Sequence, residues 1–167
     1  GLQLSVARFN SDGSADASFG SGGIASFFAV GSAPSVTVDA AGRLVIAVVD
    51  DNGDLVVTRL NPDGSLDASF GAAGIGDPVP TGGDFQNPEV TLDSAGRIVV
   101  AAEVDGSFAV VRYNADGTLD ASFGDGGARI AYTAARSDFL KLIDAERRLR
   151  QVRLAADVAL ADWAERR

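Results

Sequence analysis

The chain has 167 residues, 46% hydrophobic and 22% charged, which is enough apolar material for a packed core. It contains no Cys and no His, which excludes disulfides, thiolate metal sites, cysteine nucleophiles and His-based catalytic triads. The formal net charge is −9, and residues 1–133 hold six basic and seventeen acidic side chains. So acidic a stretch is a poor partner for nucleic acid, whose phosphates need clustered cations.

The first predicted element is a strand over 4–9, Leu-Ser-Val-Ala-Arg-Phe, the counterpart of third strands that return later in the chain. An eleven-residue phrase follows from Asn10 to Gly20, Asn-Ser-Asp-Gly-Ser-Ala-Asp-Ala-Ser-Phe-Gly. Nearly the same phrase returns at Asn61 to Gly71 and at Asn114 to Gly124, intervals of 51 and 53 residues. A period near 50 is the mark of a repeat protein and points to four-stranded propeller blades. The twenty glycines, about twice the usual share, suit turn-rich β-structure.

After the first phrase comes a strand over 24–30 and then Pro34, which is expected to set the crossing into the next repeat. Residues 36–39 and 90–93 alternate and run into Asp-x-x-Gly-Arg turns, at Asp39 and Asp93. The apolar runs 44–49 and 98–102 read as strands buried on both faces. Turns at 51–53 and 105–106 lead to third strands over 55–60 and 108–113. The acidic cluster Asp50, Asp51 and Asp54 reads as a solvated hairpin tip. Fourth strands are expected over 75–80 and 128–132. Pro78 and Pro80 place the fourth strand at the outer edge of its blade, since proline removes a ladder donor. Pro88 is expected to play the connecting part of Pro34.

The repeats therefore fall at about 1–31, 32–83 and 84–133. The first supplies only the third and fourth strands, so the region 1–133 holds about two and a half blades, which do not close a ring. The open edge at 4–9 is expected to pair with another chain. Residues 134–167 differ: Ser137 is an N-cap, no Gly or Pro follows, and 138–166 is expected to be one long helix. Leu142, Ala145, Leu149, Val152, Ala156, Ala159 and Trp163 form a heptad seam, and further apolar residues broaden it into a docking face. The expected class is mainly β, propeller-type blades followed by one C-terminal α-helix.

Three triplets, Asn10/Asp12/Asp16, Asn61/Asp63/Asp67 and Asn114/Asp116/Asp120, resemble part of a calcium loop. In that register the first ligand position falls on Arg8, Arg59 and Arg112, a cation in every copy. Turn formation is the better reading. The three asparagines are expected to make Asx turns. Gly13, Gly64 and Gly117 are expected at positive φ, and Asp16, Asp67 and Asp120 to cap the next turn or pair with the arginines. Phe19, Phe70 and Phe123 are expected to be buried anchors between blades. No catalytic residue, cofactor or metal ligand is assigned.

These residues resemble the delta-60 repeats, bacterial propeller-like repeats of uncharacterised role. The matching patterns are R-[YF]-N-x-D-G-x-L-D-x-S-F-G-x-x-G, from Arg8, Arg59 and Arg112, and D-x-x-G-R-[LI]-V-[IV]-A, from Asp39 and Asp93. Ala15 departs from the usual Leu and Leu60 from the usual aromatic. The resemblance covers residues 1–133 and implies a large secreted or cell-surface bacterial protein. The function expected is that of a non-enzymatic structural or protein-interaction module that assembles through open sheet edges and the C-terminal helix. The alternatives are a carbohydrate- or calcium-binding propeller lectin and a propeller hydrolase or lyase. The latter would work through paired carboxylates in the absence of His and Cys. No nucleic-acid partner and no membrane span are expected.

Overall fold

The computed structural model describes residues 2–30, 34–80 and 83–131. The expected helix over 138–166 lies outside these residues. Nine strands occur among those described, with no helix: β1 (Leu2–Ala7), β2 (Ile24–Val30), β3 (Ser35–Val38), β4 (Leu44–Val49), β5 (Leu55–Leu60), β6 (Phe85–Leu92), β7 (Ile98–Val104), β8 (Ser107–Tyr113) and β9 (Ala128–Ala131). They make three antiparallel sheets, one per repeat, ordered β1-β2, β3-β4-β5 and β6-β7-β8-β9. The third is a complete four-stranded meander of the kind that builds a propeller blade.

Local turn chemistry sets each hairpin. Asp39 Oδ1 accepts the N–H groups of Ala41 and Arg43, each at 2.9 Å, while Gly42 takes φ 77°. Asp93 repeats this with Ala95 and Arg97. Between β4 and β5, Asp50 Oδ1 accepts the N–H groups of Asn52 and Asp54, and Asp51 and Asp54 are exposed, as a hairpin tip requires.

Two expectations need correction. The middle repeat has three strands, not four. Residues 75–80 contribute only isolated bridges at Ile75 and a Gly76 N–H bond to Val57 O, because Pro78 and Pro80 bring no donor. The Asp77 N–H turns instead to Gly117 O of the following repeat. Pro88 is not a connector: it lies inside β6, where the register against β7 shifts between Gln86 and Glu89 and Asn87 adopts φ 49°. A bulge is one of the few places where a strand tolerates proline.

The core consists of layers between successive sheets. Val45, Ala47 and Val49 of β4 face the third repeat and pack in a cluster with Phe70, Ile98, Val100 and Tyr113. Ile46 and Val48, on the other face, pack with Leu4, Phe19 and Leu60. The continuous apolar run of β4 thus reflects a sheet covered on both sides. Val36 and Val38 of β3 are exposed whereas Val90 of β6, the equivalent of Val36, is buried.

Candidate functional site

The three copies of the phrase adopt the same loop. Backbone bonds run from the N–H of Gly13, Gly64 and Gly117 to the carbonyls of Asn10, Asn61 and Asn114, with φ of 84°, 86° and 91° at the glycines. The Asx turns fall on the aspartates, not the asparagines. Asp12 Oδ1 accepts Ser14 N–H at 2.9 Å and Asp16 Oδ1 accepts Ser18 N–H at 2.9 Å, and Asp63, Asp67, Asp116 and Asp120 behave alike. Asn10, Asn61 and Asn114 act as donors, their Nδ2 groups reaching Ser14, Ser65 and Thr118 across the loop, each at 3.0 Å. The asparagines, expected to make the Asx turns, leave that bond to the aspartates two positions on.

The second aspartate carries the electrostatics. Its Oδ2 accepts from an arginine eight residues earlier, Arg8–Asp16, Arg59–Asp67 and Arg112–Asp120, each at 2.8 Å. The capping and pairing alternatives are therefore realised together, one on each carboxylate oxygen. Asp67 also meets Arg43 Nη1 at 3.4 Å, and Asp120 meets Arg97 Nη1 at 3.5 Å. Asp16 has no such second cation among the described residues. The Ser69 hydroxyl and N–H, together with Arg59, hold the Asp67 carboxyl down to about 2 against the upward pull of burial. The Ser14, Ser65 and Thr118 hydroxyls similarly lower Asp12, Asp63 and Asp116. With these oxygens engaged in turns and ion pairs, no group of three or more acidic side chains among the described residues is arranged to hold a metal ion.

Each arginine also stacks on the phenylalanine of its own phrase, 4.7 Å for Arg8 on Phe19, 4.6 Å for Arg59 on Phe70 and 4.5 Å for Arg112 on Phe123. Its Nη1 then reaches into the next repeat, Arg8 to Pro62 O and Arg59 to Ala115 O. One residue past each phenylalanine, Gly20 N–H donates to Asp63 O and Gly71 N–H to Asp116 O, both at 2.7 Å. The ring itself lies on the next repeat's turn glycine. A Cβ on Gly64 would stand 3.1 Å from Phe19, and one on Gly117 3.0 Å from Phe70. Phe19 and Phe70 are fully buried anchors, as expected, while Phe123 is half-buried. The role of Ser18, Ser69 and Ser122 was missed. Their recurrence was visible, but a serine two residues after an aspartate signals a cap only once the loop is known.

Between the second and third loops lies an open cleft of about 410 Å³ bounded by Ser69, Gly71, Ala72, Asp77, Asp116 and Thr118. Asp77 Oδ2 accepts Leu119 N–H at its wall. Burial pushes the Tyr113 hydroxyl well above the usual tyrosine range, and among the described residues that hydroxyl has no hydrogen-bond partner.

Successive antiparallel sheets, stacked face to face and locked by one repeated loop, define a propeller-type repeat. The family model described as a domain of unknown function (DUF5122) beta-propeller matches residues 1–19, 42–70 and 96–123. The three segments contain the Arg–Asp pair and the phenylalanine of each copy in turn. The chain is thus similar to a β-propeller repeat family. No curated protein matches it. No described helix is long and apolar enough to cross a membrane.

Proposed function

We propose that this chain is a non-enzymatic structural or protein-interaction module, built from delta-60-type repeats and belonging to a secreted or surface bacterial protein. The observation that carries the proposal is the use made of the recurring polar residues. In every copy the Arg, both Asp and the Ser or Thr are spent on shaping the loop or on locking it to its neighbour. A lectin would present a free polar set and an exposed aromatic in each blade, whereas Phe19 and Phe70 are buried. A hydrolase acting through carboxylates would need one pair that departs from the repeat and is aimed at a pocket. The secreted setting follows from the resemblance to delta-60 repeats.

The test combines a glycan array, calorimetric calcium titration and sedimentation velocity over a range of protein concentrations. The expected result is no saturable sugar or calcium binding and a mass that rises with concentration. Saturable sugar binding by a strict monomer would overturn the proposal in favour of a lectin.

A further inference from the structure

The chain carries five asparagines, and the residue after each decides what that asparagine can undergo. An asparagine loses its amide when the next backbone nitrogen attacks its side-chain carbon. Asn61 and Asn87 precede Pro62 and Pro88, whose nitrogens have no proton to give up. Asn10 and Asn114 precede Ser11 and Ala115, whose side chains crowd the attack. Asn52 alone precedes a glycine, Gly53, where no Cβ stands in the way.

The structure puts this pair at the tip of the β4–β5 hairpin. Asn52 is exposed, and its Nδ2 donates to Asp50 Oδ2 at 3.2 Å. Gly53 N–H donates to Asp50 O at 3.2 Å, whereas Gly42 and Gly96, in the like-built turns after β3 and β6, make the same bond at 3.0 Å. Both bonds that restrain the reacting groups therefore stand at the long end of the N–H···O range. The same tip belongs to the joint between the second and third repeats. Gly53 O accepts the N–H of buried Phe85 at 2.8 Å, and a Cβ on Gly53 would stand 2.6 Å from Asp84 Oδ1.

We infer that Asn52 is a site of covalent modification by water, and that its conversion loosens this joint. Gly53 N attacks Asn52 Cγ, and the new C–N bond closes a succinimide ring. The amide nitrogen leaves as ammonia, carrying the proton that Gly53 gave up. Water then opens the ring at one of its two carbonyls. Breaking the new bond leaves aspartate, and breaking the original peptide bond leaves isoaspartate, with the backbone running through the side chain. Nothing is oxidised or reduced. Either product replaces a donor to Asp50 by a carboxylate, adding a negative charge among Asp50, Asp51, Asp54 and Asp84. Isoaspartate also inserts a carbon into the backbone of a turn whose Gly53 O must stay aligned with Phe85 N–H. The change needs no enzyme, so it accumulates with the age of the chain. It is independent of the interaction-module reading.

The test incubates the full chain, folded and in urea, under warm, mildly alkaline conditions and maps its peptides by mass spectrometry. In the folded chain Asn52 should lose its amide well ahead of Asn10, which is also exposed, and of Asn114, giving aspartate and isoaspartate at position 52. The melting temperature should fall further on ageing in the wild type than in Asn52→Ser, which keeps a turn-forming residue but cannot form the ring. Asn52→Ser still ages at the chain's Asp-Gly pairs, so the difference between the two proteins reads Asn52 alone. Freshly made Asn52→Asp should melt below the wild type, reproducing the part of the loss that comes from charge. Conversion at position 52 no faster than at Asn10, or seen only in urea, would overturn the site. Conversion that leaves aged wild type and aged Asn52→Ser equally stable would overturn the loosening of the joint.

Discussion

Arg59 Nε donates to Asp67 Oδ2 at 2.8 Å, with only 5% and 9% of the two side chains exposed, while the same guanidinium lies 4.6 Å over the Phe70 ring. One arginine thus satisfies a buried carboxylate, covers an aromatic face and bonds a carbonyl of the following repeat. Removing one partner of a buried pair leaves the other charge uncompensated, which costs far more than the pair itself contributes. Arg59→Ala should lower unfolding free energy by about 3–5 kcal/mol. Arg8→Ala, at the more exposed equivalent pair, should cost about 1–2 kcal/mol. Urea unfolding of the two variants checks the ranking, and equal losses would show that the contact between the second and third repeats is no more critical than that between the first and second.

Phe70→Ala should cost about 3–5 kcal/mol, the range for deleting a fully buried aromatic. Phe123→Ala should cost distinctly less, because its side chain is only half-buried. If instead Phe70→Ala kept its stability and lost binding to a sugar array, the phenylalanines would be ligand platforms.

Acid should weaken the ion pairs of the middle repeat within a defined window. Asp67 has a folded pKa of about 2, below the value of about 3.9 expected in an unfolded chain. A depressed pKa contributes stability that is fully present above the unfolded value and is lost as pH falls through the folded one. The melting temperature should therefore drop between about pH 4 and pH 2. Asp67→Asn should be less stable at neutral pH and should show a shallower acid decline. A parallel decline in both proteins would remove Asp67 from the account.

Two glycines at similar φ separate backbone strain from packing at the joint. Gly96 has φ 76° and open space at its Cβ position, so Gly96→Ala should cost about 1–2 kcal/mol from the left-handed backbone alone. Gly117 has φ 91°, and a Cβ there would stand 2.8 Å from Gly71 N and 3.0 Å from Phe70. Gly117→Ala should cost a further 1–3 kcal/mol or so by forcing the joint apart. Similar thermal shifts for both would mean that the joint yields without loss.

Calcium should not bind the loops. Asp12, Asp63 and Asp116 each give Oδ1 to a hydroxyl and an N–H of their own turn, and an arginine lies beside Asp16, Asp67 and Asp120. Millimolar calcium should produce no calorimetric signal, and EDTA should leave the melting temperature unchanged. Two or three saturable sites would reverse this.

What the sequence alone determined is local. Gly42 N–H bonds the carbonyl of Asp39 three residues earlier, and Gly64 N–H that of Asn61, so hairpin tips and loops could be read from spacing. The continuous apolar run of β4 likewise announced a strand covered on both faces. The tertiary structure decided whatever joins one repeat to the next. Arg59 finds Ala115 and Gly71 finds Asp116, partners separated by 56 and 45 residues and meeting through backbone carbonyls that carry no side-chain signature. The same competition removed the fourth strand of the middle repeat: Asp77 N–H bonds Gly117 O of the neighbouring loop, and Pro78 and Pro80 offer nothing to replace it in a ladder. Pro88 read from the sequence as a connection between repeats, and only the register of β6 against β7 makes it part of a bulge within a strand. Spacing within a repeat is fixed by covalent geometry, whereas contact between repeats depends on which buried donor reaches an unclaimed acceptor first, and that is settled only when the sheets stack.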